Sequence, residues 1–188
     1  MELKHITKLE KASQQRSPDL LALGLGVLFL VGVLVYALYR HGGGGSLYIV
    51  AAAVVGAYMA LNIGANDVAN NVGPAVGARA LTMVGALALA AVFDAAGALI
   101  AGGGVVETIS SGIIDPALLP KGPTFVWVML SALMGSALAL NAANALGAPV
   151  STTHSIVGAV VGSGLAASGP GIVAWGPLGV IAASWVVS

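Results

Sequence analysis

Charge is scarce in this 188-residue chain: Asp, Glu, Lys and Arg together make up 7% of it. Water-soluble domains carry about 25%. That deficit excludes a soluble globular class, and with 58% hydrophobic residues the chain reads as an integral membrane protein. The formal net charge is zero, which removes the basic footprint that a nucleic-acid partner requires. Cysteine is absent, so neither a disulfide framework nor a thiolate metal site can be built. Strands of a membrane barrel would alternate apolar and polar residues. The long unbroken runs here do not, which leaves an all-α, multi-pass helical bundle. Its 27 glycines suit helices that approach closely, because lipid offers no hydrophobic drive for their association and small residues let backbones pack.

What charge there is collects at the start. Residues 1–19 hold Lys4, Lys8, Lys11 and Arg16 against Glu2, Glu10 and Asp19, and read as a solvated or interfacial leader. Residues 20–40 follow as an apolar run long enough to cross a hydrocarbon layer about 30 Å thick. The run is too long for a signal peptide and has no small-residue cleavage site, so it reads as a retained helix. The basic residues before it place the N-terminus in the cytoplasm. A glycine loop with His41 leads to a second span from about Leu47, and further spans are expected over residues 81–101 and 125–146. Residues 102–121 read as a re-entrant or interfacial connection. Residues 148–167 read as a short intramembrane helix or one arm of a hairpin, and Ser168-Gly-Pro-Gly171 as a turn. Trp175 and Trp185 bracket a last segment too short to cross the bilayer, so the chain reads as ending within an unfinished unit.

One stretch breaks the apolar pattern: Asn62-Ile-Gly-Ala-Asn66-Asp67-Val-Ala-Asn70-Asn71-Val-Gly-Pro-Ala-Val-Gly-Ala78. Placing Asp at the centre of a membrane helix costs about 2.5 to 3.5 kcal/mol on insertion scales, so Asp67 asks for a partner. Glycine and proline beside it suggest a helix that opens, with freed backbone groups lining a cavity inside the protein. A second polar cluster follows at Pro149-Val-Ser151-Thr152-Thr153-His154-Ser155. Pro149 fits the first turn of a helix, and the three hydroxyls beyond it, with exposed backbone N–H groups, suit a tetrahedral oxyanion.

No lysine or arginine joins that cluster. A bare carboxylate would repel an oxyanion, by about 4 kcal/mol for unit charges about 4 Å apart at an effective dielectric of 20. A sodium ion or a proton on Asp67 reverses the sign, so anion and cation each make the other's site tolerable. Asn66, Asn70 and Asn71 add amide oxygens for a cation and NH₂ groups for an anion. Asp94, Glu107 and His154 are accessory candidates, with helix packing, an interfacial position and a structural hydrogen bond as their respective alternatives. Asn141 and Asn144, spaced i, i+3, read as interhelical hydrogen-bonding residues.

Together these residues carry a resemblance. Gly64-Ala-Asn-Asp-Val-Ala-Asn70 with Gly-Pro-Ala-Val-Gly77 and Ala80-Leu-Thr82 is similar to the signature of the PiT inorganic phosphate transporters. Pro149-Val-Ser-Thr-Thr-His-Ser-Ile-Val-Gly-Ala159 resembles that family's second hallmark, and Val106-Glu-Thr-Ile109 with Gly112-Ile-Ile-Asp115 resembles the stretch between. The likeness covers residues 47–188; the leader and first span, residues 1–40, lie outside it as an extra element. It implies a cation-coupled symporter of inorganic phosphate, built from two inverted halves, in the cell membrane. Asp67, Asn70, Ser151, Thr152 and Thr153 would bind phosphate, and Asn66 with Asp67 the cation. No enzymatic chemistry and no cofactor are implied, only the co-transported sodium or proton. The expected partners are phosphate, the cation, the lipid bilayer, the second transporter half that this chain lacks and, as an option, further copies of the chain. A sulfate permease of the same family and a non-transporting fragment or membrane subunit are the alternatives.

Overall fold

A computed structural model describes residues 2–40 and 47–187, with side chains from residue 20 onward. The His41 loop and the side chains of the leader lie outside the described residues. Among those described, the regular structure is helical apart from one isolated antiparallel bridge. The order is α1 (Glu2–Arg40), α2 (Leu47–Asp67), a π-helical turn (Val68–Val72), α3 (Gly73–Gly77), α4 (Met83–Glu107), a second π turn (Thr108–Gly112), a 3-10 turn (Pro116–Leu118), α5 (Thr124–Ala145), α6 (Thr152–Ser168), a 3-10 turn (Pro170–Ile172) and α7 (Trp175–Val187). Four stretches are long and apolar enough to cross a membrane: Leu20–Arg40, Leu47–Gly77, Met83–Gly112 and Thr124–Ala145. This is the all-α membrane bundle expected from composition.

The chain divides into two units between Ala57 and Tyr58. In the first, α1 leaves nearly all its apolar side chains exposed, with Ala37 buried.

Two expectations about helix ends need correction. Residues 102–121 do not leave the membrane helix at Gly102; α4 runs on to Glu107 and, through the second π turn, to Gly112. Three consecutive glycines lower helix propensity, but in hydrocarbon an unpaired backbone group has no water to turn to, so the helix persists. Likewise α2 does not open at Asn66 and Asp67. It widens into the π turn and continues helical to Gly77. The chain then reverses at Arg79, whose φ of 59° is a left-handed conformation that costs a non-glycine residue about 1 kcal/mol. Thr82 caps α4 by accepting from the Gly85 N–H at 3.2 Å.

α5 and α6 form an antiparallel hairpin, settling residues 148–167 as one of its arms. α5 ends in a left-handed Gly147 (φ 65°), with the Ala148 N–H donating to Ala143 O at 2.9 Å and the Gly147 N–H to Asn144 O at 3.1 Å. That pairing satisfies two helix-end carbonyls. α6 begins at Thr152 with Ser151 as its cap, so Pro149 lies outside the helix rather than in its first turn.

The main core lies where the connection after α4 meets α5, α6 and the loop before α7. Ile113, Ile114 and Val160 are fully buried and Ile172 nearly so. Ile114 pairs with Val173 in the bridge, where the Asp115 N–H donates to Ile172 O and the Ala174 N–H to Ile113 O, both at 2.9 Å. Gly164 of α6 makes this fit possible, since a Cβ there would stand 2.9 Å from the Ile114 Cγ2. A smaller cluster of Met59, Ala137 and Leu140 joins α2 to α5.

Candidate functional site

Asp67 is the last residue of α2 and precedes the π turn. It is half-buried, and the Thr152 hydroxyl donates to its Oδ1 at 3.4 Å across 85 residues of sequence. That distance is beyond the usual range of about 2.5–3.0 Å for O–H···O. The carboxylate thus has a partner in reach yet keeps capacity for a stronger one.

Neighbouring asparagines serve the opposite side of the same turn. Asn66 is only 3% exposed, and its Nδ2 donates to Asn144 Oδ1 at 3.2 Å. Asn70 Nδ2 donates to Asn66 Oδ1 at 2.9 Å and to the Val150 carbonyl at 3.4 Å. A cavity of about 290 Å³ is lined here by Asn66, Asn70, Asn144, Gly147, Ala148 and Pro149 among others. Asn71 instead shares a cavity of about 260 Å³ with Asp67 and Asp94, walled by Leu89, Ala90 and Phe93. Asp94 of α4 thus faces the same space as Asp67, although its side chain is exposed.

The three hydroxyls do not converge. Successive helical residues point about 100° apart, and each takes its own task. Ser151 Oγ accepts from the His154 N–H at 3.3 Å as the helix cap. Thr152 reaches Asp67. Thr153 lines a separate, largely apolar cavity of about 350 Å³ with Gly104, Thr108, Ile156 and Ile181. The first free N–H groups of α6, those of Thr152 and Thr153, precede the Ser155 N–H to Ser151 O bond at 3.1 Å and so have no partner within the helix.

Other candidates stand apart. Glu107 is exposed at the end of α4, about 20 Å along the helix from Asp94. Its carbonyl accepts from the Ser110 and Ser111 hydroxyls at 3.2 and 2.9 Å. The His154 ring packs against Trp185 of α7, centroids 3.7 Å apart and tilted 47°. Among the described residues no three His, Cys, Asp or Glu side chains are grouped to hold a metal. A cation at Asp67 would draw on amide, hydroxyl and carbonyl oxygens. Asn144 makes an interhelical hydrogen bond, as its sequence pattern led one to expect, although its partner was not foreseen, and the Val150 carbonyl has no counterpart in the sequence reading. The only prior signal was an asparagine pair near the end of an apolar helix.

Apolar spans that meet around a carboxylate, hydroxyls and amides define a helical membrane protein with a polar junction inside it. The chain belongs to the phosphate transporter family, whose sequence profile matches residues 63–188 and so takes in both polar motifs. A protein of Helicobacter pylori provisionally named a phosphate permease is 48% identical over 100% of this chain and 36% of its own length. A similarly named protein of Mycobacterium bovis is 49% identical over 80% of this chain and 29% of its own length. One of Pyrococcus abyssi is 43% identical over 72% of this chain and 33% of its own. The chain thus spans about a third of the length of these relatives. The Helicobacter alignment includes the leader and α1, which precede the family match. No solved structure matches.

Proposed function

We infer that the chain forms part of a permease that carries inorganic phosphate across the cell membrane together with a cation, sodium or a proton. The observation that carries this reading is the Thr152 hydroxyl donating to Asp67 at 3.4 Å, since it joins the two polar motifs at one point. The N-terminal N–H groups of α6 and the Thr152 hydroxyl supply neutral donors for an oxyanion. Asp67, with the Asn71 amide on the same cavity, supplies the negative charge for a cation, while the Asn66 oxygen already accepts from Asn70. Without the cation, anion and carboxylate repel by about 4 kcal/mol at about 4 Å and a dielectric of 20. With it, each charge stabilises the other, and coupled movement follows. Asp94, on the shared cavity, is placed to hold a second countercharge. Ser151, as the cap of α6, and Asn70, at the loop before it, border the anion side, while Thr153, on a separate cavity, and Glu107 and His154 stand further off.

Membership of the phosphate transporter family and the names of the relatives support phosphate as the anion. Their greater length leaves room for a second, inverted repeat that closes the site from the other side. The basic leader favours a cytoplasmic N-terminus.

The test is labelled phosphate uptake by vesicles containing the complete transport unit. Asp67→Asn is expected to lower uptake at least about 100-fold, the scale of removing one charge from a paired, desolvated set. Retained uptake with unchanged cation dependence would refute the coupling role. Excess sulfate in the same assay should leave phosphate uptake undiminished.

A further inference from the structure

Three contacts fix the junction between α2 and the α5–α6 hairpin, and they come from residues within five positions of one another. Asn66 reaches Asn144 near the end of α5, Asn70 reaches the Val150 carbonyl just before α6, and Asp67 accepts from Thr152, the first residue of α6. The loop from α5 to α6 is therefore held at both ends by amides. Where it is held determines where Thr152 arrives.

The amides run in one direction. Asn70 donates to Asn66, and Asn66 donates to Asn144. Turning the Asn66 amide over would set NH₂ against NH₂ at Asn70 and oxygen against oxygen at Asn144. Asn66 is buried, so its own amide, once turned over, faces like groups on both sides, and a buried polar group left unmatched is costly. Asn144 thus supplies the acceptor that locks Asn66, although it touches neither Asp67 nor Thr152 by hydrogen bond.

We propose that Asn144 is a positioning residue for transport: acting through Asn66, it sets the separation between Asp67 and the Thr152 end of α6. This rests on the reading of Asp67 and Thr152 as the ion-handling pair, but the geometric claim can be tested without transport. Residues 1–188 hold no cysteine, so once any cysteine elsewhere in the transport unit is replaced by serine, introduced thiols report on the chosen pairs. Asp67→Cys with Thr152→Cys, in membranes containing the complete transport unit, gives a cross-link whose yield measures that separation. Ile114→Cys with Val173→Cys, across the antiparallel bridge, gives a control within the core.

Asn144→Leu keeps the shape and removes the acceptor. It is expected to lower the first cross-link by tenfold or more, up to about 100-fold for a displacement of about 1 Å, and to leave the control unchanged. Asn144→Gln, which restores an amide acceptor, should recover most of the yield. An undiminished first cross-link would overturn the proposal, and so would equal losses at both pairs, because these mean general destabilisation. In protein that keeps Asp67 and Thr152, Asn144→Leu should raise the phosphate KM about tenfold, and an unchanged KM would overturn the transport part of the proposal. If the unsubstituted protein takes up no phosphate, the symport reading fails while the cross-links still decide the geometry.

Discussion

Val68–Val72 and Thr108–Gly112 are both five-residue π turns set directly after an acidic residue, Asp67 in one case and Glu107 in the other. Each lies at the end of a long apolar helix. Their polar groups are used differently. In the second turn Thr108 donates to Gly104 O at 2.9 Å, and Ser110 and Ser111 both donate to Glu107 O. These hydroxyls satisfy carbonyls of their own helix, as short polar side chains do when a ladder is disturbed. The first turn holds no hydroxyl, and its Asn70, with Asn66 and Asp67 just before it at the end of α2, reaches the loop after α5, α5 itself and α6. π turns are frequent at functional sites, and here the distinguishing mark is where the side chains go. A turn that consumes its own polar groups widens a helix. One that directs them outward joins three elements around a charge.

The largest effect that could break this comparison is on uptake. Asp67→Asn should abolish it at the scale given above, whereas Glu107→Gln, at the matching place in the other turn, should stay within about twofold, as exposed substitutions do. Comparable losses from both would mean that the turns are equivalent. Next comes Gly164→Val, which drives a side chain into the buried Ile114 beside the second turn. Overpacking of this kind costs about 2 kcal/mol, to be read as a lower thermal midpoint in detergent with the phosphate KM unchanged. Thr152→Val removes a hydroxyl donor from the anion side of the site, and a hydrogen bond to a charged ligand is worth about 1.5 kcal/mol. The substitution should raise the phosphate KM about tenfold with little change in thermal midpoint. The smallest effect is expected from Ser110→Ala combined with Ser111→Ala. Loss of the two local bonds should lower stability by about 1 kcal/mol and leave uptake untouched; a shift in KM would show that the second turn also takes part in transport.

Much of the fold was legible because hydrocarbon leaves a chain few options. The fourth span, expected over 125–146, is the helix Thr124–Ala145, bounded by Pro123 and Gly147, whose local chemistry marks a helix start and stop. The same solvent explains the misreadings. Gly102, Gly103 and Gly104 would weaken a helix in water, but a backbone in lipid keeps its ladder, and so α4 ran on. Asn66 and Asp67 were read as an opening, where a wider turn keeps the backbone paired and still turns side chains aside. The run Ser151, Thr152, Thr153 looks like one cluster in sequence. On a helix it becomes three directions, and only Thr152 meets Asp67. The partnership of Asn66 with Asn144 spans 78 residues, and no local pattern names which asparagine meets which. Nothing in the local sequence marks Ser136, which is buried on α5 with its hydroxyl unpaired.

The separation of 85 residues between Asp67 and Thr152 also has a consequence for biosynthesis. A ribosome adding about 5 to 20 residues per second delivers the acid several seconds before its hydroxyl partner exists. During that interval α2 and α4 must enter the bilayer with the carboxylate hydrated or neutralised by other means. The hairpin of α5 and α6, whose arms are neighbours in sequence, can form as soon as it emerges and then dock onto the waiting turn. Assembly of the junction is therefore a late event in the making of this part of the protein, and the order of synthesis leaves Asp67 longest without its mate.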